Sequence, residues 1–166
     1  LILPGLINGH GHTAMTLVRG LGSGLPLQRW LEEAIFPVEA KMKPEDVYAG
    51  AVWGVREMLA GGTTAVADMY DFPGDCAKAF VEGGMKARVC RVGLSFVPGR
   101  QEECVKFTRE FNLGSKDQDV VADLCIHSEY LTDEAFCRAL AAANRDLQRP
   151  LHVHVSETEK EHRECL

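Results

Sequence analysis

Apolar positions along the chain switch repeatedly between two periods. Near-continuous apolar or β-branched runs over Leu3–Asn8, Thr63–Met69, Ala87–Phe96, Val120–Ser128 and Leu151–Val155 predict strands. Between them the spacing turns helical. Pro26–Ala34 predicts a short helix with Leu27, Trp30 and Leu31 on one side. Pro44, a favoured first helical residue, opens a longer helix whose apolar face is Val47, Ala51, Val55, Met58 and Leu59, with Gly61-Gly62 at its end. Further helices are predicted over Asp75–Val81, closed by Gly83-Gly84, and over Glu102–Phe111, with Cys104, Phe107 and Phe111 aligned. Thr132 is a suitable cap for a helix carrying Phe136, Leu140, Ala143 and Leu147, and Ser156–Glu164 reads as the start of another.

Strands that alternate with helices and are themselves apolar throughout belong to a parallel sheet covered by helices, an α/β architecture. A doubly wound open sheet fits the same order. However, no G-x-G-x-x-G follows the first run and no P-loop occurs. Polar residues gather instead at the C-terminal ends of the predicted strands: His10, His12, Asp68, Arg91, His127, His154 and Glu157. That is the end at which a (β/α)8 barrel builds its chemistry. The pattern therefore predicts a partial TIM-type barrel, about strands one to five, as a single incomplete domain over residues 1–166. A complete barrel needs about 250 residues. The chain starts inside a predicted strand without an initiator Met, so it is expected to belong to a longer polypeptide.

Composition narrows the function classes. The net charge is −6 and basic residues form no run, which argues against nucleic acid or an anionic membrane as partner. No uncharged apolar stretch approaches the roughly 18–20 residues of a membrane helix, and the N-terminus, with Pro4, Gly5 and two histidines, does not read as a signal peptide. The six cysteines (Cys76, Cys90, Cys104, Cys125, Cys137, Cys165) contain no C-x-x-C pair. They read as reduced, mostly buried thiols of a cytoplasmic protein.

Two motifs carry chemistry. His10-Gly11-His12 places two imidazoles on one face at a strand end, within reach of one metal ion, although histidines in a loop would satisfy the same string. His154 ends the last predicted strand and Glu157 follows at the turn into a helix. An imidazole there can complete a metal site, and a carboxylate beside it can move protons for an activated water. Glu157 also suits a helix N-terminus for electrostatic reasons alone. His152 shares the face of His154 but lies deeper, and reads as a buried, hydrogen-bonded histidine rather than a ligand. Imidazole donors suit zinc, with iron and nickel as alternatives.

The stretch LPGLINGHGHTAMTLVRGLGSGLPLQRWLEEAIFPVEAKM, with GGTTAVADM and LHVHVSETEKE, resembles the amidohydrolase superfamily, and within it the 5-methylthioadenosine/S-adenosylhomocysteine deaminases and their chlorohydrolase relatives. The resemblance implies His10, His12 and His154 as metal ligands and Glu157 as proton shuttle and substrate contact. It implies Glu39 on ribose hydroxyls, Trp30 against the nucleoside, Arg91 and His127 on the substrate with His127 near the reacting centre, and Arg100 on a homocysteine carboxylate. The bland alternatives are a core Trp30, an ion-paired Arg91, a core His127 and a solvated Glu39. Asp68 reads as structural. Where relatives carry His-Ala-Pro-Tyr-Thr, this chain has His127-Ser128-Glu129-Tyr130-Leu131. Family members continue with three further strands, a histidine, a metal-binding aspartate and a small β-sandwich. The implied activity is metal-dependent hydrolytic deamination of an adenine nucleoside, a small-molecule substrate, with homo-oligomerisation open. Alternatives are a guanine or cytosine deaminase, a triazine chlorohydrolase, or an inactive half-barrel.

Overall fold

A computed structural model describes residues 1–116 and 118–164. Cys165 of the predicted thiols lies outside them. Five strands, β1 Leu6–Gly11, β2 Thr63–Tyr70, β3 Lys86–Arg91, β4 Val120–Ser128 and β5 Leu151–His154, form one sheet in the order β1-β2-β3-β4-β5. Every neighbouring pair is parallel. The helices are α1 Leu27–Arg29, α2 Phe36–Glu39, α3 Pro44–Ala60, α4 Pro73–Gly83, α5 Arg100–Gly114, α6 Glu134–Leu147 and α7 Glu159–Glu164. The sheet curls enough that the C-terminal ends of β1 and β5 meet, with His10 Nε2 3.0 Å from His154 Nε2. It is a half-barrel.

The core lies in three places. The largest part sits between the outer face of the sheet and α3–α4, where Val47, Val55, Phe80, Met85 and Val89 are almost fully buried. Each such side chain contributes about 1.5–3 kcal/mol by leaving water. A second cluster joins Cys104, Phe136 and Leu140 to β4. Met69, Cys90, Val92 and Cys125 fill the concave side. The described cysteines are all free thiols, and four of the five are buried. At the outer edges the sheet is apolar and open to solvent: Leu6, Ile7, Leu151 and Val155 are exposed.

Several boundaries differ from the sequence reading for identifiable reasons. β1 begins at Leu6 and carries on through His10 to Gly11. β3 stops at Arg91, five residues short of the predicted Phe96, because Gly93 onward runs into the loop that walls the mouth; the Gly93 carbonyl still accepts from His127 N–H at 2.9 Å. The helix predicted to end at Ala34 continues through a π-helical turn, Trp30–Ile35, into α2. Pro37 has no N–H to donate, and the wider turn accommodates it and carries Glu39 inward. The cap of α6 is Asp133, whose Oδ1 accepts from Phe136 N–H at 2.8 Å, and not Thr132, whose hydroxyl donates to the Ser128 carbonyl.

A 3₁₀ segment, Thr13–Val18, follows β1 and lies on α3. The contact is close because α3 presents glycines there. A Cβ on Gly50 would stand 2.4 Å from the Ala14 carbonyl oxygen, and one on Gly54 2.5 Å from Thr13 Cγ2. Gly54→Val is therefore expected to destabilise the fold by about 1–3 kcal/mol, read as a lower urea midpoint at unchanged slope. An unchanged midpoint would mean that this seam does not constrain the segment after His12.

Candidate active site

The strand ends that carry the histidines are irregular. The β1–β2 register shifts between Asn8 and Gly11, and the β4–β5 register shifts between Cys125 and Ser128. Such irregularities re-aim side chains at the rim of a barrel. His10 N–H bonds the Asn8 side chain at 3.3 Å. Just beyond His12, Thr13 is pinned by the buried Asp68, which accepts from Thr13 N–H at 2.7 Å and from its hydroxyl at 2.5 Å. Asp68 is thus structural, as read from the sequence.

The ring orientations follow from backbone carbonyls. His12 Nδ1 lies 2.6 Å from the Met69 carbonyl oxygen, and His154 Nδ1 lies 2.7 Å from that of His127. A carbonyl only accepts, so both Nδ1 atoms carry the proton and both Nε2 atoms are left with a bare lone pair. Those two Nε2 atoms are 3.2 Å apart, and His10 Nε2 is 3.0 Å from that of His154. Burial, offset in part by the Met69 carbonyl, lowers the His12 pKa; burial first and then the neighbouring imidazoles push His10 down to about 4. A second proton on the His10 or His12 ring is therefore disfavoured, and a bound cation would occupy the space that the Nε2 atoms face. Tetrahedral nitrogen ligands at about 2.0–2.1 Å from a metal sit roughly 3.3 Å from one another. The donor atoms of His10, His12 and His154 fit a divalent ion.

Beside these rings lies a cavity of about 340 Å³ whose lining includes Trp30, Glu39, His127, Tyr130, His154 and Glu157. Its remaining wall is mainly apolar, with Met69, Phe72, Leu94 and Phe96. Trp30 is half-buried; its Nε1–H donates to the Leu21 carbonyl at 2.8 Å. Glu39 accepts from the Tyr70 hydroxyl at 2.7 Å, and burial raises its pKa. His127 packs 4.7 Å from the His154 ring, centroid to centroid, and burial followed by the nearby imidazoles pushes it down to about 3, so it is neutral. His152 is half-buried, with Nε2 2.7 Å from His10 Nδ1.

Glu157 is fixed from two sides. Tyr130 donates to its Oε2 at 3.0 Å. Its own N–H donates to Glu161 at 2.7 Å, while Glu161 N–H returns a bond to Thr158 Oγ1 at 3.1 Å. Thr158 and Glu161 form a reciprocal capping box for α7, a signal the S/T-x-x-E string already contains. Tyr130, Tyr70 and Glu161 are positioning residues that the sequence reading did not single out. The two tyrosines have no spacing signature; only the fold brings them to their carboxylates.

Arg91 and Arg100 are absent from the cavity lining. Arg91 donates to Glu103 at 2.9 Å, and the buried Arg100 donates to Asp71 at 2.5 Å and to the Val92 carbonyl at 3.2 Å. Both stand behind Asp71, which does line the cavity. Arg91 thus takes the ion-paired alternative considered for it from the sequence.

The model of the amidohydrolase family matches residues 1–166. The chain belongs to that family. A 5-methylthioadenosine/S-adenosylhomocysteine deaminase of Dictyoglomus turgidum is 40% identical over 162 residues, covering 95% of this chain and 38% of the relative. One from Acetivibrio thermocellus is 37% identical over 163 residues, again covering 38% of its own length. Among solved structures, an adenosine deaminase from Xanthomonas campestris with bound zinc superposes with a TM-score of 0.86 at 31% identity, over 95% of this chain and 37% of that one. An atrazine chlorohydrolase from Arthrobacter aurescens shares the fold, with a TM-score of 0.78 at 20% identity over 92% of this chain and 40% of its own. The chain thus spans less than half the length of these amidohydrolase relatives.

This geometry predicts that the amidohydrolase site retains about one divalent ion per chain through dialysis, and that His154→Ala loses it, as measured by elemental analysis. Full metal content in that variant would contradict the assignment.

Proposed function

We propose that the protein containing this chain is a metal-dependent hydrolase that deaminates an adenine nucleoside of the S-adenosylhomocysteine or 5′-methylthioadenosine type and releases ammonia. The observation that carries this reading is the convergence of the His10, His12 and His154 Nε2 atoms beside a cavity that His12 and His154 line together with Glu157. The names of the Dictyoglomus and Acetivibrio relatives and the zinc in the Xanthomonas structure support it. Zinc is the metal we assign, and when bound it supplies Lewis-acid activation of water near neutral pH.

The chain's own residues do the rest. Glu157, steadied by Tyr130, takes a proton from the attacking water, passes it to the purine ring nitrogen next to the reacting carbon, and then relays the proton of the added hydroxyl to the amine, which leaves as ammonia. Neutral His127 adds no charge against the cation and offers its ring to the reacting centre. Trp30 packs on the nucleoside. Glu39 meets the ribose hydroxyls with the oxygen that Tyr70 leaves free. A free base has no ribose for Glu39 to hold, which favours a nucleoside over guanine or cytosine. Arg91 and Arg100, paired with Asp71 and Glu103, act by holding Asp71 at the cavity wall and not by touching the substrate. The enzyme works in the cytoplasm on a small molecule; among the described residues no helix is long and apolar enough to cross a membrane.

The test is ammonia release by the full-length protein from S-adenosylhomocysteine, methylthioadenosine, adenosine, guanine and cytosine. Turnover is expected with an adenine nucleoside, and Glu157→Gln is expected to lower kcat by about 10²–10⁴-fold. Ammonia from guanine or cytosine alone would overturn the substrate class.

A further inference from the structure

His152 lies beside the metal centre without belonging to it. Its Nε2 is 2.7 Å from His10 Nδ1, and its Nδ1 is 3.7 Å from Cys90 Sγ. The other two ligands have their tautomers set by backbone carbonyls, which can only accept. Among the described residues His10 has no such carbonyl, and its partner at Nδ1 is another imidazole, which can either give or take a proton.

The direction of that one bond decides whether His10 can ligate. If His152 donates, the His10 proton must sit on Nε2, aimed at His154 Nε2 3.0 Å away, in the space a cation needs. If His152 accepts, the His10 proton sits on Nδ1 and Nε2 is bare. Acceptance requires the His152 proton on Nδ1, facing Cys90. The Cys90 thiol turns its own hydrogen to the Asp68 carbonyl at 3.4 Å and leaves sulfur lone pairs toward His152. The environment of His152 is therefore built for the accepting form.

We infer that His152 is a positioning residue for the metal centre: it accepts from His10 Nδ1–H, and so holds the His10 ring in the orientation and tautomer that present Nε2 to the ion. It does for His10 what the Met69 and His127 carbonyls do for His12 and His154. This rests on the metal-site reading above and adds a residue to it.

The experiment uses purified full-length protein, stripped of metal and titrated with zinc against a competing chelator. Wild type is compared with His152→Leu, which has no acceptor, and His152→Gln, whose amide oxygen can accept from His10. His152→Leu is expected to weaken zinc binding about 10–100-fold, with the stoichiometry and the metal-free melting temperature unchanged. His152→Gln is expected to recover most of the loss. A second measurement needs no variant: in zinc-loaded wild type, ¹⁵N shifts of the His10 ring should report a protonated Nδ1. Equal zinc affinity in His152→Leu, equal losses in both variants, or an unprotonated His10 Nδ1 would overturn the inference while leaving the three-histidine site intact. Wild type that binds no zinc would overturn both.

Discussion

The Met69 and His127 carbonyls impose the constraint on which the mouth of this half-barrel depends. Each accepts a ring proton from Nδ1, and each thereby turns Nε2 toward the other ring. The two Nε2 atoms stand 3.2 Å apart, and burial disfavours a second proton on His12. A bound cation would be held by the lone pairs that these rings present. That links metal binding to stability, since ligand bound only to the native state adds to its free energy.

The rest of the architecture serves this placement. The parallel sheet brings β1 and β5, distant in sequence, to one rim. Asp68 and the glycine seam of α3 pin the chain immediately after His12. The capping box at Thr158 and Glu161 fixes the turn that bears Glu157. Register shifts occur on the two strands that carry the ligands, where side chains must leave the regular pleat to converge. The apolar edges of β1 and β5 show that the sheet alone does not cover its own surface, which accords with a chain spanning 38% of its deaminase relatives.

Much of this was legible in the sequence. Apolar runs alternating with helical periods identified all five strands, and strand-end polar residues pointed to the mouth of a barrel. The H-x-H string and the His-x-x-Glu string gave the histidines and Glu157, because residues two apart at a strand end start on one face, while the register shifts that complete the convergence leave no mark in the string. The positions that escaped depend on contacts between distant segments. Tyr130 meets Glu157 and Tyr70 meets Glu39 only after the chain has curled. The extension of the first helix to Glu39 was hidden by Pro37, which ordinarily ends a helix and here stands in the first turn of α2, directly after a π-helical turn. Arg91 looked like a strand-end binding residue and the family resemblance put Arg100 on a substrate carboxylate, but acids at Asp71 and Glu103 draw both into ion pairs behind the wall.

Zinc K-edge X-ray absorption on the metal-loaded protein tests the central claim most directly. Imidazole ligation predicts nitrogen or oxygen scatterers at about 2.0–2.1 Å, with the multiple-scattering signature of about three histidine rings. Sulfur scatterers at about 2.3 Å would place the metal among the buried cysteines and contradict the account.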